Sequence, residues 1–131
     1  MITKSQINTI KSLKEKNTRT QLSMFVAEGE KMFEEIVSSE FLVKQLFFIR
    51  GEVSGEALKK IGTLSKKNSC EIFEVSASEM TRITYLKTPT PILLCVEIPR
   101  CDFHYREGSL ILALDGVQDP GNLGTIIRIA D

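Results

Sequence analysis

Between Ile2 and Ile98 the apolar positions change period repeatedly, from the three-to-four-residue spacing of a helix to the two-residue spacing of a strand. Thr3 and Gln6 form a capping box, and Ile7, Ile10 and Leu13 follow at nearly helical spacing, which predicts a first helix from about Ser5 to Lys16. Asn17-Thr18-Arg19-Thr20 is expected to break it. Met24 to Glu28 is a short β-rich run closed by Gly29, and Met32, Phe33, Ile36 and Val37 make one apolar stripe of a second helix. Leu42 to Ile49 predicts a strand bounded by Gly51. Ser54 is placed to cap a helix that buries Leu58, Ile61 and Leu64. Glu71 to Val75 alternates with period 2, as an edge or half-buried strand does. Ser76 and Glu79 form a second capping box, opening a short helix to about Thr84. Ile92 to Val96 is apolar throughout, the pattern of a central strand covered on both faces.

Strands and helices therefore alternate through residue 98, which predicts an α/β fold with a helix-flanked sheet. Residues 99–108 are polar and rich in turn formers, and they read as a linker between a domain over 1–98 and a second segment over 109–131. In that segment Leu110 to Leu114 has the composition of another fully buried strand, followed by a loop and a helix up to Asp131. A strand of that kind needs neighbours on both sides, so the segment is expected to be the opening of a larger, truncated domain.

Composition narrows the function classes. The 131 residues are 42% hydrophobic and 26% charged, as in a globular domain rather than a disordered tail. No apolar run approaches the roughly 20 residues that span a bilayer, and the N-terminus lacks the apolar core of a secretory signal, so the expected location is cytoplasmic. Cys70, Cys95 and Cys101 are an odd count with no C-x-x-C pair, which argues against a zinc or disulfide framework, and Cys70 and Cys95, beside apolar runs, are expected to be buried reduced thiols. His104 is the single histidine and lies in the polar linker, so neither a metal site nor a catalytic triad is expected. Net charge is zero, but Lys4, Lys11, Lys14, Lys16 and Arg19 crowd the first segment against Glu15 alone. Acidic Glu28, Glu30, Glu34, Glu35 and Glu40 follow. Such a distribution suits either a solvated helix face or a surface that holds RNA on one side only.

Chemistry is concentrated between Leu114 and Arg128. The loop from Gly116 to Gly121 begins like a phosphate-binding loop, but Asn122-Leu123 stands where that motif needs Lys-Ser/Thr, which excludes a nucleoside triphosphatase. Gly121 and Gly124 do not complete a dinucleotide fingerprint either. Asn122 is a candidate helix cap, and Gly124 in the first turn would admit close backbone approach, at roughly 1 kcal/mol relative to alanine. Arg128 sits among Ile126, Ile127 and Ile129, where it either snorkels to solvent or holds an anion or hydroxyl.

The segment D-G-V-Q-D-P-G-N-L-G-T-I-I-R-I-A-D, including Asp119, Pro120, Gly121 and Gly124, closely resembles the first motif of the SpoU branch of the SPOUT methyltransferases. A weaker resemblance covers Lys14 to Arg19 and Phe25-Val26-Ala27-Glu28-Gly29, which are similar to the substrate-binding domain preceding the catalytic domain in many members. The resemblance implies a small α/β fold like that of ribosomal proteins that bind bent RNA, then the first strand-loop-helix of a truncated, knotted SPOUT domain. It implies methyl transfer from S-adenosylmethionine to a ribose 2′-OH, in RNA that is expected to be ribosomal, by an enzyme that is a homodimer at full length. By the same resemblance Arg128 corresponds to the arginine that activates the hydroxyl and Asn122 to the asparagine that shapes the site. Lys14, Lys16 and Arg19 are implied to meet RNA phosphate, while Glu28 and Gly29 are either structural or part of the RNA site. Two departures stand against it: Pro89-Thr90-Pro91 replaces the family's Pro-Gln-Gly, and the later motifs that hold the methyl donor are absent, so the chain alone is expected to be inactive. The alternatives are a stand-alone RNA-binding module and an inactive product folded only to about residue 98.

Overall fold

A computed structural model describes residues 1–67, 70–100 and 106–131, which fall into two compact units, Met1–Arg100 and Cys101–Asp131. Cys101 and His104 lie outside the described residues. The first unit runs α1 (Lys4–Ser12), α2 (Lys16–Leu22), β1 (Met24–Glu28), α3 (Glu30–Ser38), β2 (Val43–Phe48), α4 (Gly55–Lys67), β3 (Glu71–Glu74), α5 (Ala77–Ile83) and β4 (Ile92–Glu97). Its four strands form one mixed sheet in the order β1-β4-β2-β3. β4 is antiparallel to both of its neighbours, and β2 and β3 are parallel.

Helices cover both faces of the sheet, and the period-2 alternation of the strands decides which side chain meets which layer. On one face Leu46 and Phe48 of β2 and Ile92, Leu94 and Val96 of β4 pack with Phe33 and Ile36 of α3 and Ala57, Ile61 and Leu64 of α4. On the other face Phe47, Leu93 and Cys95 pack with Ile7 and Ile10 of α1, Leu13, and Met80 and Ile83 of α5. β4 therefore has both faces buried, as its uninterrupted apolar run predicts, with Ile92, Leu93, Leu94 and Val96 wholly inaccessible. A register shift between Val43 and Gln45 leaves Lys44 as an extra residue opposite the Val96–Cys95 step. That bulge turns Val43 toward the same face as Leu46, which strict alternation would forbid.

The two capping boxes form as the spacing predicts. The Thr3 hydroxyl accepts from the Gln6 amide at 3.2 Å while the Gln6 side chain accepts from the Thr3 amide at 2.8 Å. At Ser76 and Glu79 the same exchange occurs at 3.3 and 3.0 Å. Ser54 caps α4 by accepting from the Ala57 amide at 3.1 Å. β3 is an edge strand, as its polar-apolar alternation predicts.

Three expectations are corrected. The first helix ends at Ser12 rather than Lys16, and Asn17 to Thr20 is not a break but lies inside a second helix, α2. Asn and Thr are mediocre helix formers, yet the turn is tied down by its own Arg19, which donates back to the Leu13 and Lys14 carbonyls at the end of α1. Second, Leu110 to Leu114 is not a strand. Among the described residues no strand pairs with it, so its backbone has no ladder to join, and Leu110 stands 99% exposed. Third, the final helix, α6 (Pro120–Ala130), is capped by Asp119 rather than Asn122.

Candidate functional site

Residues singled out in the first unit gather where the end of β1 meets α1, α2 and the loop that enters β4. Gly29 follows β1 with φ +100°, a conformation that L side chains rarely adopt, so the turn into α3 requires glycine. Its amide donates to the Ile92 carbonyl at 2.9 Å and its carbonyl accepts from the Phe33 amide at 3.0 Å, continuing the sheet on one side and starting α3 on the other. Glu28, the last residue of β1, spends both carboxylate oxygens on the end of α5. One accepts from the Thr84 hydroxyl at 2.5 Å and the other from the Tyr85 amide at 2.8 Å. In this geometry the carboxylate fastens the α5–β4 loop to the sheet.

Tyr85 extends the tie, its phenol donating to the Ile10 carbonyl of α1. Burial chiefly, then neighbouring Cys95 and Glu28, against the opposing guanidinium of Arg19, push the Tyr85 phenol up to about 12. It therefore stays a donor throughout the neutral range. Arg19 lies half-buried, its Nη1 donating to the Leu13 carbonyl at 3.1 Å and the Lys14 carbonyl at 2.6 Å. A cation on the last carbonyls of α1 is favoured by hydrogen bonding and by the helix dipole together. Lys14 and Lys16 flank the same corner, exposed, and no ion pair among the described residues involves either. The structure thus brings Arg19, Glu28 and Gly29 into one framework and leaves Lys14 and Lys16 facing solvent. Thr84 and Tyr85 are not legible in the sequence as partners because they lie more than fifty residues from Glu28, and no local pattern signals that pairing. Nearby, Cys95 is buried in the sheet, and that burial pushes its thiol up to about 12, which makes it a packing group rather than a nucleophile.

The second unit carries the other singled-out residues on α6. Asp119 accepts from the Gly121 amide at 2.9 Å, with Pro120 at the first helical position, where its missing N–H costs nothing. Asn122 and Arg128 are both exposed, and six residues of α-helix separate them by about 9 Å along the axis and about 120° around it. The helix alone does not bring those two side chains together. Arg128 instead falls on the same helical face as Gly121 and Gly124, seven and four residues earlier; the space beside Gly124 is open, while the Asp119 carboxylate lies against Gly121. Leu110, Leu112, Ile126, Ile129 and Ala130 line an open apolar cavity of about 460 Å³ beside that helix. Among the described residues no three His, Cys, Asp or Glu side chains gather where they could hold a metal ion, and no helix is long and apolar enough to cross a membrane.

Residues 4–94, the greater part of the chain and all of this framework, match the model of the MRM3-like substrate binding domain. The chain belongs to that family. It is 31% identical over 121 residues to the 23S rRNA (guanosine(2553)-2′-O)-methyltransferase RlmP of Bacillus subtilis, a match covering 92% of this chain and 45% of the relative. Among solved structures it superposes on a Porphyromonas gingivalis protein described as an RNA methyltransferase of the TrmH family, with TM-score 0.78 and 32% identity, over all of this chain and 49% of the other. An AdoMet-bound rRNA methyltransferase from Sinorhizobium meliloti gives TM-score 0.71 and 30% identity, over 99% of this chain and 48% of its own. The MRM3-like chain thus spans about half the length of the relatives it matches.

Proposed function

We propose that this chain is the RNA-recognising front part of an S-adenosylmethionine-dependent RNA ribose 2′-O-methyltransferase acting on ribosomal RNA. The observation that carries the reading is the sequence of parts in one polypeptide: a substrate-binding domain over residues 4–94, then the SpoU-type motif from Asp115 to Arg128. The names of the relatives support the same activity, and an rRNA substrate supports a cytoplasmic location. On this reading residues 1–98 bind RNA, 99–108 link, and 109–131 open a knotted SPOUT domain that dimerises in a protein of the relatives' length.

The chemistry asked of the chain's own residues is limited. A ribose hydroxyl is a weak nucleophile and must be aimed at the methyl group while its proton is accepted or its developing charge stabilised. A guanidinium is a donor with no acceptor and does not serve as a base, so the role of Arg128 is to orient the hydroxyl, together with a substrate phosphate, and to stabilise the alkoxide as it forms. The open backbone at Gly124, four residues before Arg128 on the same helical face, leaves room for a nucleotide to approach. Asp119 and Pro120 set where α6 begins, and Asn122, near its N-terminus, shapes the approach from another side. S-adenosylmethionine supplies the methyl group when bound. Residues 106–131 offer an exposed helix and an open apolar cavity rather than an enclosure, so this chain does not by itself form the cofactor's site.

The test is Arg128→Ala in a polypeptide of the relatives' length, assayed for methyl transfer to rRNA and, separately, for RNA binding. Loss of transfer by about two to three orders of magnitude with binding retained is the expected result; equal loss of both would overturn the role of Arg128. A second reading, an RNA-binding module that works without catalysis, is favoured by the self-sufficiency of unit Met1–Arg100, whose two core clusters draw only on its own residues. Binding of folded rRNA by the 131-residue chain, with no transfer by the longer protein, would decide for it.

A further inference from the structure

Charge is divided unequally between the two helical layers of the MRM3-like unit. The segments that build one layer, residues 1–23 with α1 and α2 and residues 76–91 with α5 and its following loop, hold seven cations (Lys4, Lys11, Lys14, Lys16, Arg19, Arg82, Lys87) against two carboxylates, Glu15 and Glu79. The rest of the unit, residues 24–75 and 92–100, holds eight cations against ten carboxylates. A surplus of five on one layer therefore faces a deficit of two elsewhere, inside a chain of zero net charge.

Pairing sharpens the contrast. The ion pairs among the described residues, Lys44–Glu97, Arg50–Glu74 and Lys60 with Glu34 and Glu56, all lie on the sheet or on the α3–α4 side. None uses a cation of the α1–α2–α5 layer. Of that layer's cations, Arg19 is committed to the carbonyls ending α1 and the other six are exposed. The fold also joins what the sequence separates. The Ile2 amide donates to Glu79 at 2.9 Å at the start of α5, and Tyr85 donates to Ile10 at its end, so α5 is pinned along α1. Glu79 is bonded there and to Ser76, which holds its carboxylate at the start of α5. Six exposed cations that enter none of the ion pairs among the described residues, in segments carrying Glu15 and Glu79 as their acids, suit a polyanion rather than a protein surface of mixed charge.

We infer that the α1–α2–α5 layer is a phosphate-binding face for folded RNA, and that Arg82 and Lys87, contributed from sixty residues beyond the basic N-terminal segment, act on it together with Lys11, Lys14 and Lys16. This rests on the RNA reading above and goes beyond it by assigning the face and the α5 cations. The face reads charge rather than base sequence, because its groups are ammonium and guanidinium ends with no constellation aimed at a base edge.

The experiment compares two double charge reversals in the 131-residue chain that alter net charge equally. Arg82→Glu with Lys87→Glu changes the proposed face; Lys31→Glu with Lys59→Glu changes the α3–α4 layer. Binding is measured on a folded fragment of 23S rRNA across a salt series, with thermal melts showing that each variant is folded. The α5 pair should weaken binding about tenfold or more at low salt and reduce the slope of log K against log salt by about one for each phosphate no longer neutralised, while the α3–α4 pair leaves both near those of the unaltered chain. Equal weakening by both pairs, or weakening by the α3–α4 pair alone, would overturn the assignment. If Lys14→Glu with Lys16→Glu weakens binding and the α5 pair does not, the RNA reading stands and the extended face is wrong. If the unaltered chain binds no RNA at low salt, the RNA reading itself falls.

Discussion

Gly29 illustrates how much one residue decides. Its φ of +100° lets β1 turn directly into α3 while its amide still bonds Ile92 and its carbonyl starts the helix. An alanine Cβ there would meet only the Thr90 methyl, at an ordinary 3.9 Å, so the penalty is conformational rather than steric crowding. Gly29→Ala is therefore expected to destabilise the unit by about 1–2 kcal/mol. Urea unfolding should show a lower midpoint with an unchanged slope. Beside it, Glu28 could be singled out from sequence but its role could not: a carboxylate at a strand end can face RNA or fold back, and only the approach of Thr84 and Tyr85 settles the geometry. Arg19 is similar. Its charge suits a phosphate, while its position places it on the carbonyls that end α1.

Among the elements, α5 is short and depends on its cap. Glu79 accepts from the amides of Ser76 and Ile2, so it closes the capping box and also ties down the chain's start. The Ser76 amide foremost, with the Ile2 amide, holds its carboxyl below the ordinary carboxylate value of 4.5. A lowered folded pKa contributes stability that is complete above the unfolded value and is lost as pH falls through the folded one. The Tm difference between the native chain and Glu79→Gln should thus be constant at neutral pH and shrink once pH drops below about 4.5. A difference that persists unchanged into acid would mean that the side chain's shape, not its charge, supports α5. This cap was visible as Ser76-x-x-Glu79; the bond to Ile2 was not, because it joins residues far apart in the chain.

For the whole molecule, both core clusters lie within Met1–Arg100, and α6 with residues 110–114 contributes to neither. A polypeptide of residues 1–100 is therefore expected to fold alone and melt at the same temperature as the 131-residue chain. A markedly lower Tm would show that residues 101–131 support the sandwich. The same division explains the exposed Leu110, Ile111 and Leu112: their composition is that of a buried strand, but burial has to come from partners.

Periodicity, capping pairs and turn residues determined most of the elements from Thr3 to Glu97, because those signals act over four residues or fewer and each agrees with the layer the element enters. The central place of β4 was legible for the same reason, since only a strand covered on both sides tolerates Ile92 to Val96 without a polar residue. The motif from Asp115 to Arg128 was legible as a string of residue types, with its helix start misplaced by three residues because Asp119 and Asn122 are both good caps. Tertiary structure alone decided the strand order, the bulge at Lys44, the second helix at Lys16–Leu22, and the meeting of Glu28 with Thr84 and Tyr85. It also set α5, which carries Arg82, against the basic first helix. Each of these depends on contacts between residues distant in the chain, whose energy exists only once the layers have packed, and no local pattern carries that information.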